Sequence, residues 1–194
     1  MDNNILIDEA KDYIRKKFST TFDGHDADHS LRVYNNAMLI CKSISECDVL
    51  SVSLAALLHD VDDYKLFNTE NNENARLFLS KCHLRADFID NICCIINAVS
   101  FSKNKGAVPS TIEGRIVQDA DRLDAIGAVG IARTFAYSGA HGRGMEASVQ
   151  HFHEKLLLLK NSMNTEKAKE IAIERHNYML HFLEQLLQET NGVY

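Results

Sequence analysis

The chain has 194 residues, of which 45% are hydrophobic and 25% charged, and this length and composition are those of one ordinary globular domain. Its net charge of -6 excludes a general nucleic-acid binder, because such a protein needs a basic face. No apolar run approaches the roughly 20 residues of a membrane span. The five cysteines form no CxxC pair, which argues against a disulfide scaffold and favours the cytoplasm.

The first half of the chain has a hydrophobic period near 3.6 residues, which predicts helices. The first helix is expected over residues 1–17, and the second begins after Asp26 as its N-cap and runs to about residue 44. A third, over about 48–61, is apolar on most faces and is therefore expected to be central and buried. Two further helices, over 72–81 and 86–100, precede a predicted loop at 103–110.

The second half continues the helical pattern. Residues 111–137 are predicted to be helical, with interruptions at Gly127 and Gly130, and SGAHGRGM at 138–145 is predicted to be a glycine-rich loop. Two helices follow over about 147–163 and 165–188, the last capped by Asn164 or Thr165. No alternating run predicts a sheet. We therefore expect an all-α fold, a single compact helical bundle with its core at about 20–130 and additional C-terminal helices at about 145–190.

Three stretches place histidine and carboxylate side chains within or beside these helices: GHDADHSLRV at 24–33, LLHDVDDYK at 57–65 and VQDADRLDAIG at 117–127. Imidazole and carboxylate together suit a divalent first-row metal ion. Two histidines and two aspartates would leave coordination positions open for water or a phosphate oxygen, as metal-assisted hydrolysis requires. Each stretch alone has a plain structural interpretation as a solvated or capping segment. Their combination in this order indicates a metal site.

The order H…HD…D, formed by His29, His59 with Asp60, and Asp121, resembles the signature of the HD-domain metal-dependent phosphohydrolases. The flanking stretches are similar to those of the small bacterial single-domain HD hydrolases from about residue 23 to residue 188. This resemblance implies that the four residues bind one divalent metal ion, with Mn²⁺, Mg²⁺, Fe²⁺, Co²⁺ and Ni²⁺ as candidates. His29 is preferred to His25 because the ligand histidine of this family precedes xxRV, which is HSLRV here.

Residues near the motifs are also predicted to have roles. Asp63 is the predicted catalytic proton donor or acceptor beside the metal, and Asp62 is the fallback. Three residues are predicted to support the ligands from behind: Asp124, Arg32 and Asp62. Five residues are predicted to contact substrate: Lys65, His25, His141, Arg143 and Lys155. The glycine-rich loop that contains His141 and Arg143 is expected to close over a phosphate.

The leading hypothesis is hydrolysis of a phosphate ester or anhydride by a metal-activated water. The expected substrate is a small phosphorylated compound, a nucleotide. The protein would act on it either as a nucleoside triphosphate pyrophosphohydrolase or as a phosphomonoesterase. The alternative is a non-catalytic HD-fold module that senses a nucleotide or acts as a scaffold. A third hypothesis is a helical interaction domain without metal. A homodimer is a possible assembly.

Overall fold

The computed structural model describes residues 2–19, 26–64, 66–99 and 107–192. Within these ranges the chain is all-α and has no strand, which confirms the predicted fold class. Nine α-helices and one 3₁₀ helix are found in the described residues: α1 Asn3–Lys17, α2 Ala27–Cys41, α3 Val49–Leu58, α4 Glu73–Lys81, α5 Ala86–Val99, α6 Ile112–Asp124, α7 Gly127–Ala140, α8 Met145–Glu154, the 3₁₀ helix Leu156–Ser162 and α9 Glu166–Asn191.

The chain divides into two compact units, Met1–Asp121 and Arg122–Tyr194. The expectation of a single domain stays a prediction. None of the helices found in the described ranges has the length and apolarity to cross a membrane.

Helix α3 is the centre of the first unit. Its residues from Ser51 to Leu58 are all buried, and it packs against α1, α2 and α5. An N-cap at Asp48 starts it, because this carboxylate accepts hydrogen bonds from the N–H groups of Leu50 and Ser51 at 3.0 and 3.2 Å. The prediction of a central buried helix is confirmed. The predicted end at about residue 61 is wrong, because α3 ends at Leu58 and His59 is its C-cap.

Helix α2 begins as predicted. Asp26 has an extended backbone, and its carboxylate accepts the N–H of His29 at 2.7 Å. This bond satisfies one of the unpaired N–H groups of the first turn. The cap therefore fixes the first turn of α2, which carries His29 of the first motif. The helix ends at Cys41, three residues before the predicted end.

The predicted interruption at Gly127 is confirmed, whereas the one predicted at Gly130 is wrong, because helix α7 runs through that residue. Helix α6 ends at Asp124 and α7 begins at Gly127, whose φ of +76° lies in the left-handed region. A Cβ at Gly127 would come within 2.9 Å of Cγ of Arg175. Both constraints demand glycine. Helix α7 then runs to Ala140, so the predicted loop over 138–145 is confined to residues 141–144.

In the second unit, α9 packs against α7 and the 3₁₀ helix, and α8 packs against both of those elements. The rings of Phe135, Phe152 and Phe182 form an aromatic cluster with centroids 5.8–6.4 Å apart. The predicted helix over 147–163 is wrong in its second half, because α8 ends at Glu154 and the chain continues as a 3₁₀ helix. Thr165 is confirmed as the cap of α9, and its hydroxyl accepts the N–H of Ala168 at 3.4 Å.

Candidate metal centre

His59 is held at the end of the buried helix α3, and only 5% of its side chain is exposed. Its Nδ1 lies 2.9 Å from the carbonyl oxygen of Ala56. Since a carbonyl only accepts, Nδ1 carries the hydrogen and Nε2 of the neutral ring carries the lone pair. This is the tautomer that a histidine ligand adopts when a backbone carbonyl orients it from behind.

His29 faces His59 from the first turn of α2. Its side chain is buried, and its Nε2 lies 3.2 Å from Nε2 of His59. The two ring planes meet edge to face, with centroids 5.1 Å apart. The nitrogen atoms of two histidines, 30 residues apart in sequence, therefore point at the same place.

Two carboxylates complete this cluster. Asp60 bridges the imidazoles, with Oδ2 at 3.4 Å from Nε2 of His29 and Oδ1 at 3.4 Å from Nε2 of His59. Oδ1 of Asp121 lies 3.4 Å from Nε2 of His29 and 3.9 Å from Nε2 of His59. The structure thus brings together the four residues predicted to bind metal, all within the first unit. Their assignment as ligands stays a prediction.

The charge state of Asp121 reflects its position. Burial alone would raise the pKa of this carboxyl, but the hydrogen bond from His29 and the charges of both imidazoles outweigh burial and the repulsion from Asp60. The pKa of Asp121 is therefore lowered from its ordinary value. The carboxylate form, which binds cations, is the favoured one.

The donor set fits a divalent ion. Donor atoms that bind one ion at about 2.1 Å lie about 3.0–3.5 Å apart at right-angled or tetrahedral positions. The observed separations between the histidine nitrogens and the carboxylate oxygens are 3.4–3.9 Å, close to that range. In the described part of the chain, the one group of three His, Cys, Asp or Glu residues with ligand atoms within 4.8 Å of one another is His29, His59 and Asp121.

The residues that follow the HD pair have separate positions. The backbone N–H of Asp63 donates to the carbonyl of Asp60 at 3.0 Å, so Asp63 closes a turn that begins at Asp60. The carboxylate of Asp62 accepts the backbone N–H groups of Asn74 and Ala75 at 2.9 and 3.0 Å. Asp62 is thus bonded to the first turn of α4. Arg32 is half-buried on α2, one turn after His29.

Asp124 lies in the second unit, almost completely buried, and its carboxylate pairs with Nη1 of Arg133 at 2.5 Å. Its guanidinium partner was not part of the predicted site. The structure therefore gives Asp124 a partner within its own unit, whereas its predicted support of a metal ligand stays a prediction.

Two of the predicted substrate residues share one aromatic neighbour in the second unit. The ring of His141 stacks on Tyr137 with centroids 3.9 Å apart, and Arg143 lies 5.3 Å from the same ring. Lys155 is exposed at the end of α8. Burial and the charge of Lys155 lower the pKa of His151, and Arg143 adds to this effect. Lys65 and His25 lie outside the described residues.

Tyr137 and Asn74 were not predicted as part of the site. Tyr137 is four residues before His141, and this helical spacing to a histidine next to glycines was a usable signal. Asn74 had no such signal, because its partners Asp62 and Val61 are 12 and 13 residues away and meet it only in the fold.

Residues 26–126, more than half of the chain, match the family model of the HD domain. The chain belongs to the HD-domain family. The resemblance drawn from the sequence motifs is thereby confirmed. Members of this family bind a divalent metal ion, which agrees with the donor set of the cluster.

Similar proteins extend over nearly the whole chain. YpgQ of Bacillus subtilis is 39% identical over 200 residues, which cover 96% of this chain and 94% of YpgQ. A crystal structure of YpgQ in complex with ADP has a TM-score of 0.84 at 36% identity and 97% coverage of both chains. An HD-superfamily hydrolase of Bacillus thuringiensis has a TM-score of 0.82 at 36% identity, with 97% and 98% coverage. The likeness to HD hydrolases therefore includes the C-terminal helices.

Proposed function

We propose that this protein is a metal-dependent phosphohydrolase that cleaves a phosphate ester or anhydride of a nucleotide. The observation that carries the proposal is the convergence of four donor side chains, in which the Nε2 atoms of His29 and His59 lie 3.2 Å apart and face the carboxylates of Asp60 and Asp121. The hydrolases among the similar HD structures support the reaction class.

His29, His59, Asp60 and Asp121 would hold the ion. When bound, it supplies Lewis acidity that polarises a P–O bond and lowers the pKa of coordinated water. The chain contributes the orientation: Ala56 fixes the tautomer of His59, and the cap at Asp26 fixes the backbone of His29. Such support keeps ligands in place without reorganisation at the moment of reaction.

Asp63 is the proposed proton acceptor. It stands three residues after Asp60, in the turn that continues directly from the HD pair, and it is half-buried. Its carboxylate would accept the proton of the attacking water and return it to the leaving oxygen. Asp62 is a weaker candidate because two backbone N–H groups already bind its two oxygens.

A nucleotide is the proposed substrate because the similar protein YpgQ was crystallised with ADP. The exposed side chains of His141, Arg143 and Lys155 are proposed to contact phosphate, together with Lys65 and His25. The ring of Tyr137 contacts both His141 and Arg143. Either a nucleoside triphosphate pyrophosphohydrolase or a phosphomonoesterase would use this set.

The test is turnover of a nucleotide panel by protein loaded with Mn²⁺, with the products separated by ion-exchange chromatography. Release of pyrophosphate from a nucleoside triphosphate supports the pyrophosphohydrolase, and release of orthophosphate from a monophosphate supports the monoesterase. Absence of any turnover by protein with one Mn²⁺ bound would overturn the proposal.

The second candidate is a non-catalytic module that binds a nucleotide as a signal or scaffold, which the ADP complex of YpgQ equally supports. This candidate gives Asp63 no chemical task. It therefore predicts nucleotide binding with micromolar or tighter affinity, no turnover, and the same affinity in Asp63→Asn.

A further inference from the structure

The turn after the HD pair is fastened to helix α4 by a set of hydrogen bonds that centres on Asn74. Its side-chain Nδ2 donates to the carbonyl of Val61 at 2.8 Å, and its backbone N–H donates to Oδ1 of Asp62 at 2.9 Å. The next residue, Ala75, donates its N–H to Oδ2 of the same aspartate at 3.0 Å. Three bonds therefore join two consecutive residues of the turn to the first turn of α4.

These bonds replace the ordinary cap of α4. Asn72 occupies the N-cap position, but its side chain makes no capping bond. The first N–H groups of a helix have no partner within the helix and need an external acceptor. Asp62 supplies that acceptor from the turn, so α4 and the turn each depend on the other for position.

The other polar atoms of Asn74 are bonded to helix α1. Its Oδ1 accepts from Nζ of Lys17 at 2.8 Å, and its carbonyl accepts from the hydroxyl of Tyr13 at 3.2 Å. Because Lys17 only donates and Val61 accepts through its carbonyl, the orientation of the Asn74 amide is determined by its neighbours. Lys17 also lies 4.5 Å from the ring centroid of Phe67, which follows the turn.

We propose that Asn74, acting with Asp62, is a positioning residue that fixes the turn carrying His59, Asp60 and Asp63. This inference rests on the proposed function, since it assigns the fastening to the metal ligands and to the proton acceptor. Asp60 and Asp63 flank the two fastened residues, so movement at Val61 or Asp62 displaces both. Residues that orient ligands from behind typically change metal affinity or activity 10–100-fold when they are removed.

The test compares two variants at Asn74. Asn74→Ala removes both side-chain bonds, and Asn74→Asp keeps the oxygen that faces Lys17 while placing an acceptor against the carbonyl of Val61. Both are expected to weaken Mn²⁺ binding, measured by titration calorimetry, by roughly tenfold or more. Both are also expected to lower kcat at saturating Mn²⁺ with little change in the KM for nucleotide.

Arg76→Ala is the matched control. Arg76 lies two residues further along α4 and bonds to the carbonyl of Asn71 and the carboxylate of Asp90, not to the turn. It is expected to leave Mn²⁺ affinity within about twofold of the parent, and the loss of this exposed ion pair should change the melting temperature little. Asp62→Asn is the milder variant to use if neither Asn74 variant folds, because it converts one acceptor oxygen into a donor and should weaken Mn²⁺ binding several-fold.

Hydrogen exchange separates this inference from the proposed function. The N–H groups of Val61 and Asp63 donate to the carbonyl groups of Leu58 and Asp60 within the turn. Their exchange is expected to accelerate at least tenfold in the Asn74 variants and to stay unchanged in Arg76→Ala. Unchanged exchange would overturn the positioning role even if the parent protein hydrolyses nucleotides, and so would parental Mn²⁺ affinity with a lowered melting temperature. Accelerated exchange in a chain without turnover would overturn only the enzymatic proposal.

Discussion

The Nε2 atoms of His29 and His59 lie 3.2 Å apart, although the carbonyl of Ala56 leaves the His59 nitrogen without a hydrogen in the neutral ring. The lone pair of the His59 Nε2 therefore faces His29, whose own Nε2 lies 3.4 Å from Oδ1 of Asp121. The carboxylates of Asp60 and Asp121 surround the same point. This arrangement favours a bound cation at that point.

His59→Ala is expected to weaken Mn²⁺ binding at least 100-fold and to abolish turnover, because it removes the donor whose tautomer the fold has already set. The helices should remain, since α3 is held by the apolar residues at 52 and 54–58. Calorimetric titration gives the affinity and far-UV circular dichroism gives the helicity. His181→Ala, at an exposed histidine of α9, is the control and should bind like the parent. One Mn²⁺ per chain retained by His59→Ala would contradict the ligand assignment.

Addition of Mn²⁺ to metal-free protein should raise the melting temperature. A ligand at 100 times its Kd stabilises the folded state by about 2.7 kcal/mol. For a chain of this size each kcal/mol corresponds to about 2–4 °C, so the increase should be about 5–10 °C. Differential scanning fluorimetry with and without a chelator measures it. An equal increase in His59→Ala would show that Mn²⁺ acts elsewhere on the chain.

The convergence of the four proposed ligand side chains was predictable because it depends on features of the local sequence. Asp26 was predicted as the N-cap of α2, and the apolar residues of α3 predicted a buried helix that begins near Asp48 and carries His59 close to its end. Once both helices are placed, the histidines and aspartates of the three motifs can come together in only a few ways. The family resemblance then singled out His29 from His25.

The remaining features depend on contacts between distant segments. The glycine at 127 predicted an interruption, but the close approach of Arg175, 48 residues later in the chain, could not be read from residues 111–137. The role of Asn74 likewise arises only when α4 meets the turn after Asp60. Periodicity records which face of a helix is buried, but not which distant side chain packs against it.

Asp63→Asn should separate binding from chemistry. An amide cannot accept the proton of the attacking water, and loss of a general base typically lowers kcat by about 10²–10⁴-fold. Mn²⁺ affinity should stay within about threefold, because the four proposed ligands are untouched. Initial rates at saturating Mn²⁺ and nucleotide measure the effect. Parental kcat in Asp63→Asn would exclude Asp63 as the proton acceptor and would leave Asp62 to be tested by the same substitution.

The alkylation of Cys41, which is not one of the proposed metal ligands, should be slowed by the burial of its thiol. Burial raises the pKa of the Cys41 thiol to about 12, helped by its contact with Cys47 and the charge of Glu113. At pH 9 an ordinary thiol is more than half ionised, whereas Cys41 should be about one-thousandth ionised. Since only the thiolate is alkylated, iodoacetamide should modify the exposed Cys94 at least 100-fold faster than Cys41.

The same shift has a consequence for stability. Because the folded-state pKa of Cys41 lies above that of an unfolded thiol, its contribution is complete below about pH 8.5 and is lost as the pH rises toward 12. Urea unfolding at pH 8 and pH 10 should therefore give a lower free energy of unfolding at pH 10, and Cys41→Ala should reduce that difference.

Peptide mass spectrometry after timed alkylation measures the reactivity of Cys41 and Cys94 with iodoacetamide. Urea-unfolded protein is the control in which both cysteines react alike. Equal labelling of Cys41 and Cys94 in the native protein would contradict the buried, protonated thiol.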